Sequence, residues 1–380
     1  MRNLTIFWHF FVLGLFSFGG PMAHIAYFRK KFVEDLNWLD EEKFSKLVAL
    51  SNFLPGPSSS QVGFSIGYDK GGIVGALSAF VAFTLPSFLL LYLAAIFQSS
   101  YSSSLIIQGL ISGLKLFAVI IVADATLSMF KNLCKIKISR VIFIISVIIL
   151  VFFQSFYIQL LVIVLAGFIS FIFIKLDENE EIKYKKISKI PLILFFVFLF
   201  IFPFFINENE YLSFFNSFYQ VGSLVFGGGH VVLPLISSNV TVSQESFLTA
   251  YSLAQAVPGP MFTIASYIGA ISFEQSAFLG ALIATIAIFL PGFLLILAFF
   301  KSFESYSKNT KVKKILLGVK ASVVAILFSV LVSIVVPSGI TSILDIFIAL
   351  VGFFVIRKFK LPILSIILFF CLYGIVLIYI

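Results

Sequence analysis

Long apolar blocks separated by short polar ones make up the chain. Residues 73–97, 105–130 and 141–174 are apolar apart from isolated polar positions, and similar runs fill the second half. A helix crossing a hydrocarbon core needs about 20 apolar residues. Each block therefore predicts membrane-spanning helix. No stretch shows the alternation of apolar and polar residues that a membrane β-barrel requires. The pattern predicts an all-α polytopic membrane protein.

Two kinds of interruption break the apolar pattern, and each occurs twice. Glycines interrupt it at 18–21 and 226–229, and Pro-Gly-Pro interrupts it at 55–57 and 258–260. Longer segments recur with them. LGLFSFGGP (13–21) returns as VGSLVFGGG (221–229), and FSKLVALSNFLPGP (44–57) as FLTAYSLAQAVPGP (247–260). TLPSFLL (84–90) returns as FLPGFLL (289–295), and GLKLFAV (113–119) as GVKASVV (318–324). The offsets are 208, 203, 205 and 205, so order and spacing are nearly constant. Such self-similarity marks an internal duplication. The expected organisation is a first repeat over 1–175, a charged cytoplasmic linker over 176–190, a connecting transmembrane helix over 191–210 and a second repeat over 211–380.

Charge gives the repeats a direction. Lys131, Lys135, Lys137 and Arg140 mark one loop as cytoplasmic, since short cytoplasmic loops collect Lys and Arg. Lys301, Lys308, Lys311, Lys313 and Lys314 mark another, and Arg357, Lys358 and Lys360 a third. The loops near 98–104, 154–157, 207–211 and 337–341 have neither Lys nor Arg. Basic 301–314 corresponds to uncharged 98–104, and basic 131–140 to uncharged 337–341. Equivalent loops thus fall on opposite sides, which makes the halves inverted-topology repeats with broken helices. Such repeats commonly hold a transporter's site at midplane. Whether 4–28 and 44–68 cross or fold back stays open at this stage, because the loop between them balances acidic against basic residues.

Composition agrees with the membrane reading. The hydrophobic fraction is 60% and the charged fraction 11%, against about 45–50% and 25% in soluble domains. The net charge of +9 is explained by the basic loops, so nucleic acid is not an expected partner. Cys134 and Cys371 form no metal or disulfide pattern. The first apolar run lacks a small-residue cleavage site and reads as a membrane segment. No cofactor is implied.

The breaks are the candidate chemistry. Proline ends or kinks a helix, and backbone freed at membrane depth must be buried in protein or line a wet cavity. A helix restarting there presents N–H groups and its positive dipole end, which suits an anion. The candidate substrate-binding residues are Gly19, Gly20, Pro21, Pro55, Gly56, Pro57, Gly227, Gly228, Gly229, Pro258, Gly259 and Pro260. Ser58, Ser59, Ser60, Gln61, Gln255 and Thr263 flank them with hydroxyls and amides, although serine at a break also serves as a helix cap. His24 and His230 follow the glycine breaks and are candidates for substrate or proton handling. Lys115 and Lys320 stand at equivalent positions in apolar runs. Charge there is a functional hypothesis by default, and it suits an anion's counter-charge. Asp124 lies nine positions from Lys115, so its partner is expected on another helix.

SFGGPMAHIAYFRKKFV (17–33), WLDEEKFSKLVALSNFLPGPSSSQVGFSIGY (38–68), FTLPS (83–87), FGGGHVVLPLI (226–236) and AQAVPGPMFTIASYIGA (254–270) resemble the two-domain chromate ion transporters. The resemblance covers essentially the whole chain. It implies secondary active export of chromate across the cytoplasmic membrane, driven by an ion gradient. No Walker-type sequence is present, in keeping with that. Lys115 fits the family's first-half pattern, whereas Lys320 departs from the neutral polar residue more usual there. The alternatives are a sulfate-type oxyanion transporter and a passive anion channel. An enzyme is not expected: there is neither a nucleophile with a partner base nor His-Glu-x-x-His. The expected partners are chromate or a related oxyanion and the lipid bilayer. A coupling proton and a homodimer are compatible with this scheme, and the sequence selects neither the coupling ion nor the oligomeric state.

The charge pattern predicts that a topology reporter inserted in 176–190 reads cytoplasmic and one fused after Ile380 reads external. Both reporters active on the same side would rule out the odd number of crossings.

Overall fold

In a computed structural model the chain is described over residues 2–101, 104–153, 155–176, 185–206, 209–226, 229–307, 309–359 and 361–378. Every regular element among these residues is helical. The first repeat supplies α1 (Arg2–Phe16), α2 (Gly20–Arg29), α3 (Glu41–Phe53), α4 (Ser58–Ser100), α5 (Leu105–Leu133), α6 (Lys137–Phe152) and α7 (Phe156–Phe173). Helix α8 (Lys189–Phe196) lies between these two sets of helices in the chain. The second repeat supplies α9 (Glu210–Leu224), α10 (Val232–Asn239), α11 (Gln244–Ala256), α12 (Ile264–Ser272), α13 (Ala277–Phe299), α14 (Phe303–Ser307), α15 (Thr310–Val330), α16 (Val336–Gly339), α17 (Ile343–Phe359) and α18 (Ile363–Ile378). Residues 177–184 of the expected linker lie outside the described residues, as do Gly227 and Gly228.

Among the described residues five helices are long and apolar enough to cross a membrane: Ser58–Gln98, Leu105–Leu133, Phe156–Phe173, Glu274–Phe299 and Thr310–Gly339. Gly72, at φ 62°, divides the first of them.

Residues 4–28 and 44–68 each fold as a helix, a break and a second helix packed back on the first. Phe10 stacks on Phe32 at 4.7 Å and meets Phe28 edge-on at 5.5 Å, so α1 and α2 lie antiparallel across the glycine break. At 1.5 Å per residue, α1 with 15 residues is about 22 Å long and α2 with 10 residues about 15 Å. Lys43 Nζ reaches Asp69 Oδ1 at 2.6 Å, which closes α3 onto the first part of α4 across the Pro-Gly-Pro break. Arg29 donates to Glu41 at 2.9 Å, and Lys46 pairs with Glu42 at 2.7 Å. The balanced charges of this loop neutralise one another, which is why they carried no topology signal.

The chain divides into two compact units that do not follow the repeats. One comprises 1–93, 177–232 and 257–313; the other comprises 94–176, 233–256 and 314–380. Each draws on both halves, and within each the close contacts come in pairs separated by the repeat offset. In the first unit, Gly14 abuts the Phe83 carbonyl and its counterpart Gly222 the Ile288 carbonyl. Gly67 faces Gly75, as Gly269 faces Gly280. In the second unit α5 packs on α18 through Gly113 against the Phe370 backbone, and α15 packs on α7 through Gly318 against the Ala166 backbone. Small residues at such crossings let backbones approach, which drives helix association in lipid. The expected interhelical partner of Asp124 is Arg357 of α17, at 3.1 Å.

Two left-handed glycines separate conformational strain from crowding. Gly56 has φ 126°, and an added Cβ would lie 3.0 Å from the Gly292 Cα. Gly20 has φ 78° with nothing within 4 Å. Gly56→Ala should therefore lower the thermal midpoint in detergent well beyond Gly20→Ala, which carries only backbone strain of roughly 1–2 kcal/mol. Equal midpoints would show that the Gly56 contact is not tight.

Candidate functional site

The two Pro-Gly-Pro breaks lie in one unit and are tied to the opposite repeats. The Gly56 N–H donates to the Val225 carbonyl at 2.7 Å, and the Gly259 N–H to the Ser17 carbonyl at 2.9 Å. Gly56 and Gly259 are repeat equivalents, and so are Ser17 and Val225. The bonds are therefore one interaction made twice. Behind it, Gly56 packs on Gly292, and Gly259 packs on the equivalent Ser87. Both glycine N–H groups are consumed here, so neither is available to a ligand.

Free donors follow one turn on. Helix α4 restarts at Ser58, and the first intrahelical acceptor is reached by Gln61, whose N–H donates to the Pro57 carbonyl at 2.9 Å. The leading N–H groups of Ser58, Ser59 and Ser60 are those a helix leaves unpaired. Their side chains and that of Gln61 are all buried. The Ser60 hydroxyl, the Gln61 carbonyl oxygen and the Ser17 hydroxyl have no hydrogen-bond partner among the described residues. Gln61 Nε2 donates to the Pro55 carbonyl at 2.8 Å and the Gly292 carbonyl at 3.2 Å, which fixes the break. His24 joins this cluster and is 1% exposed. Its Nε2 lies 3.2 Å from the Ser17 carbonyl and its Nδ1 3.2 Å from Ser59 Oγ. A carbonyl only accepts, so Nε2 carries the proton; in the neutral ring Nδ1 then accepts from the Ser59 hydroxyl. Buried polar groups are normally satisfied. Unpaired ones beside a helix N-terminus form a niche for a hydrogen-bond acceptor with negative charge.

The second restart is chemically different. Met261, Phe262, Thr263 and Ile264 stand where the first repeat has Ser58, Ser59, Ser60 and Gln61. The Thr263 hydroxyl folds back onto the Pro260 carbonyl at 2.6 Å. A cavity of about 410 Å³ between α4 and α13 is lined by groups such as Phe80, Leu85, Phe88 and Phe293, with Thr84 and Thr285 its polar lining, and is too apolar to hold an anion.

Known sequences fit this duplicated arrangement. The family model described as chromate transporter matches residues 4–171 and 212–375. The chain belongs to the chromate transporter family. An uncharacterized transporter of Methanocaldococcus jannaschii is 31% identical over 340 residues, covering 86% of this chain and 83% of that protein. A probable chromate transport protein of Synechococcus elongatus is 26% identical over 330 residues, with coverage of 84% and 80%. The chromate transport protein of Pseudomonas aeruginosa is 24% identical over 340 residues, with coverage of 86% and 80%. No solved structure matches the chain. The family consists of integral membrane transporters rather than enzymes, and so does this member's class.

The remaining candidates in this chromate transporter family member are dispersed. Gly19 and Met22 are exposed and Gly20 and Pro21 partly so; only Ser17 and His24 carry the first glycine break into the buried cluster. Gly229 is buried and His230 half-buried in the unit that holds the breaks, as are Pro258, Gly259 and Pro260. Lys115, Gln255 and Lys320 belong to the other unit. Gln255 is hydrogen-bonded to Tyr251. Lys115 is not a bare counter-charge: its Nζ lies 3.9 Å from Glu245 Oε2. No group of three potential metal ligands occurs among the described residues.

Sequence reasoning missed Ser17 and Glu245. Ser17 sits one residue before the glycine break and looked like an ordinary small residue. Glu245 lies in a polar segment that gave no sign of facing α5; its equivalence to Glu42, two residues before the repeated Phe44 and Phe247, was the available signal.

Proposed function

We propose that the chain is a secondary active transporter that exports chromate, bound as a tetrahedral oxyanion at the start of α4. The observation that carries this reading is the buried cluster at the start of α4, where the Ser17 and Ser60 hydroxyls have no hydrogen-bond partner among the described residues. The relatives named as chromate transport proteins in Synechococcus and Pseudomonas support the substrate class. The paired contacts between the repeats, with the Lys/Arg asymmetry of their loops, support inverted repeats around that site.

Charge sets the mechanism. A dianion leaving water needs compensation, and a helix N-terminus supplies about half a charge. His24 supplies a further charge when protonated. Its Nδ1 then donates to Ser59 Oγ, and the Ser59 hydroxyl proton turns outward to the anion. Protonation of His24 therefore strengthens oxyanion binding, and binding weakens as His24 loses its proton.

The test is chromate uptake into everted vesicles, with sulfate as competitor and with the proton gradient present or collapsed. Uptake that needs the gradient supports this reading; uptake indifferent to it would make the protein a channel, and preferential sulfate uptake would reassign the substrate. Ser60→Ala should raise KM roughly fivefold, the equivalent of one hydrogen bond. Ser60→Asp, which places a carboxylate in the niche, should abolish uptake without preventing membrane insertion. His24→Gln should flatten the pH dependence of uptake. Wild-type KM in Ser60→Ala together with uptake in Ser60→Asp would remove the site from α4.

A further inference from the structure

Helices α6 and α7 enclose a groove of about 470 Å³. Its lining is apolar from Ile149 and Val162 at one end to Phe173 at the other, where Lys137 completes it. From Lys137 to Ile149 it follows α6 for about 18 Å at 1.5 Å per residue. That is close to half of a hydrocarbon core about 30 Å thick, the depth that one acyl chain reaches. Val141, Ile145 and Leu165 on its walls are exposed, so the groove is open along its side. Cations gather at the Lys137 end, which the charge pattern assigns to the cytoplasm. Arg140 is held at the α5–α6 turn, donating from Nε to the Cys134 carbonyl at 3.1 Å. Ser170 of α7 donates to the Lys314 carbonyl, which brings the start of α15 to the same end. Lys175 lies two residues past α7. None of Lys135, Lys137, Arg140, Lys175 and Lys314 forms an ion pair among the described residues. The sequence has no Asp or Glu between Asp124 and Asp177.

We propose that this groove binds an anionic diacyl phospholipid, with one acyl chain along α6 and α7 and the phosphate at Lys137 and Arg140. The inference is independent of the transport reading. An apolar groove and a cation cluster meet here as the two parts of such a molecule do, and Lys and Arg at the cytoplasmic ends of membrane helices attract anionic headgroups. The hairpin itself does not require the cations. At the repeat offset of 205, Lys135, Lys137, Arg140 and Lys175 correspond to Ile340, Ser342, Asp345 and Ile380. Asp345 accepts there from the Thr341 and Ser342 N–H groups at 3.0 and 2.8 Å, so the equivalent end is capped by a carboxylate instead. A second copy of the chain is a poorer occupant. Two-fold symmetry within the membrane would set the basic end of one groove against the same end of the other, and like charges repel.

The experiment is native mass spectrometry of the full-length protein released from nanodiscs that hold equal amounts of phosphatidylglycerol and phosphatidylcholine with the same acyl chains. Each cation near a membrane surface is worth about fivefold in affinity for anionic lipid. The protein should therefore retain phosphatidylglycerol over phosphatidylcholine by roughly tenfold or more, and Lys137→Gln with Arg140→Gln should cut that ratio at least about fivefold. Lys30→Gln with Lys358→Gln removes two exposed cations elsewhere and should leave the ratio unchanged. Ile145→Trp fills the groove without altering charge and should lower the amount of lipid retained. Equal retention of the two lipids by the unaltered protein would overturn the proposal. So would an equal fall in the ratio in both double variants, which would make it an effect of net charge alone. Unchanged lipid retention in Ile145→Trp would overturn it as well, and loss of a dimer in that variant would give the groove to a second copy.

Discussion

The structure depends on the need to satisfy backbone groups that proline and glycine leave unpaired in an apolar interior. An orphaned N–H or carbonyl in hydrocarbon costs several kcal/mol. Each repeat has an orphan donor at its Pro-Gly-Pro break and an orphan acceptor just before its glycine break. The Gly56 N–H goes to Val225 and the Gly259 N–H to Ser17, so each half settles the other's deficit. Neither half has this solution alone. A duplicated sequence thereby becomes one fold, with breaks held beside each other rather than distributed along separate helices.

Close packing around the exchange is also shared. Gly14 and Gly222 lie against backbone carbonyls of α4 and α13, and those helices continue to the prolines Pro86 and Pro291. In the other unit, Gly113 and Gly318 bring α5 and α15 against helices of the opposite repeat. Lipid offers no hydrophobic drive for one helix to leave it for another, so shape and backbone proximity decide the pairing. Glycine at both members of each equivalent pair preserves that shape through the duplication.

Much of this was legible in the sequence because its signals are strong. Apolar length gave the spanning helices, the offsets gave the repeats, and the two kinds of break marked where helices stop. What escaped notice depends on tertiary partners. Balanced charges between Arg29 and Lys46 hid the α1–α2 and α3–α4 hairpins, whose closure shows only in contacts such as Lys43 with Asp69. Periodicity does not report that 233–256 joins a different unit from its counterpart segment in the first repeat. Glycine as a residue type suggested Gly19 and Gly20 as site residues; Gly19 is exposed and Gly20 partly so, while the neighbouring Ser17 and His24 enter the buried cluster.

The duplication also explains why the scaffold is more symmetric than its chemistry. Two identical restarts would offer two equal anion niches, and two dianions held close would repel strongly in a low dielectric. The chain keeps the geometry at both breaks but places Ser58, Ser59, Ser60 and Gln61 at one and Met261, Phe262, Thr263 and Ile264 at the other. At the second, the threonine hydroxyl is spent on its own turn. One restart therefore keeps donors to give, while the other fills its space with apolar bulk. The backbone exchange needs only the glycine N–H groups and the carbonyls before the glycine breaks, so the side chains at the restarts were free to diverge. Structure constrains both breaks equally, and the difference between them lies in the side chains at the restarts.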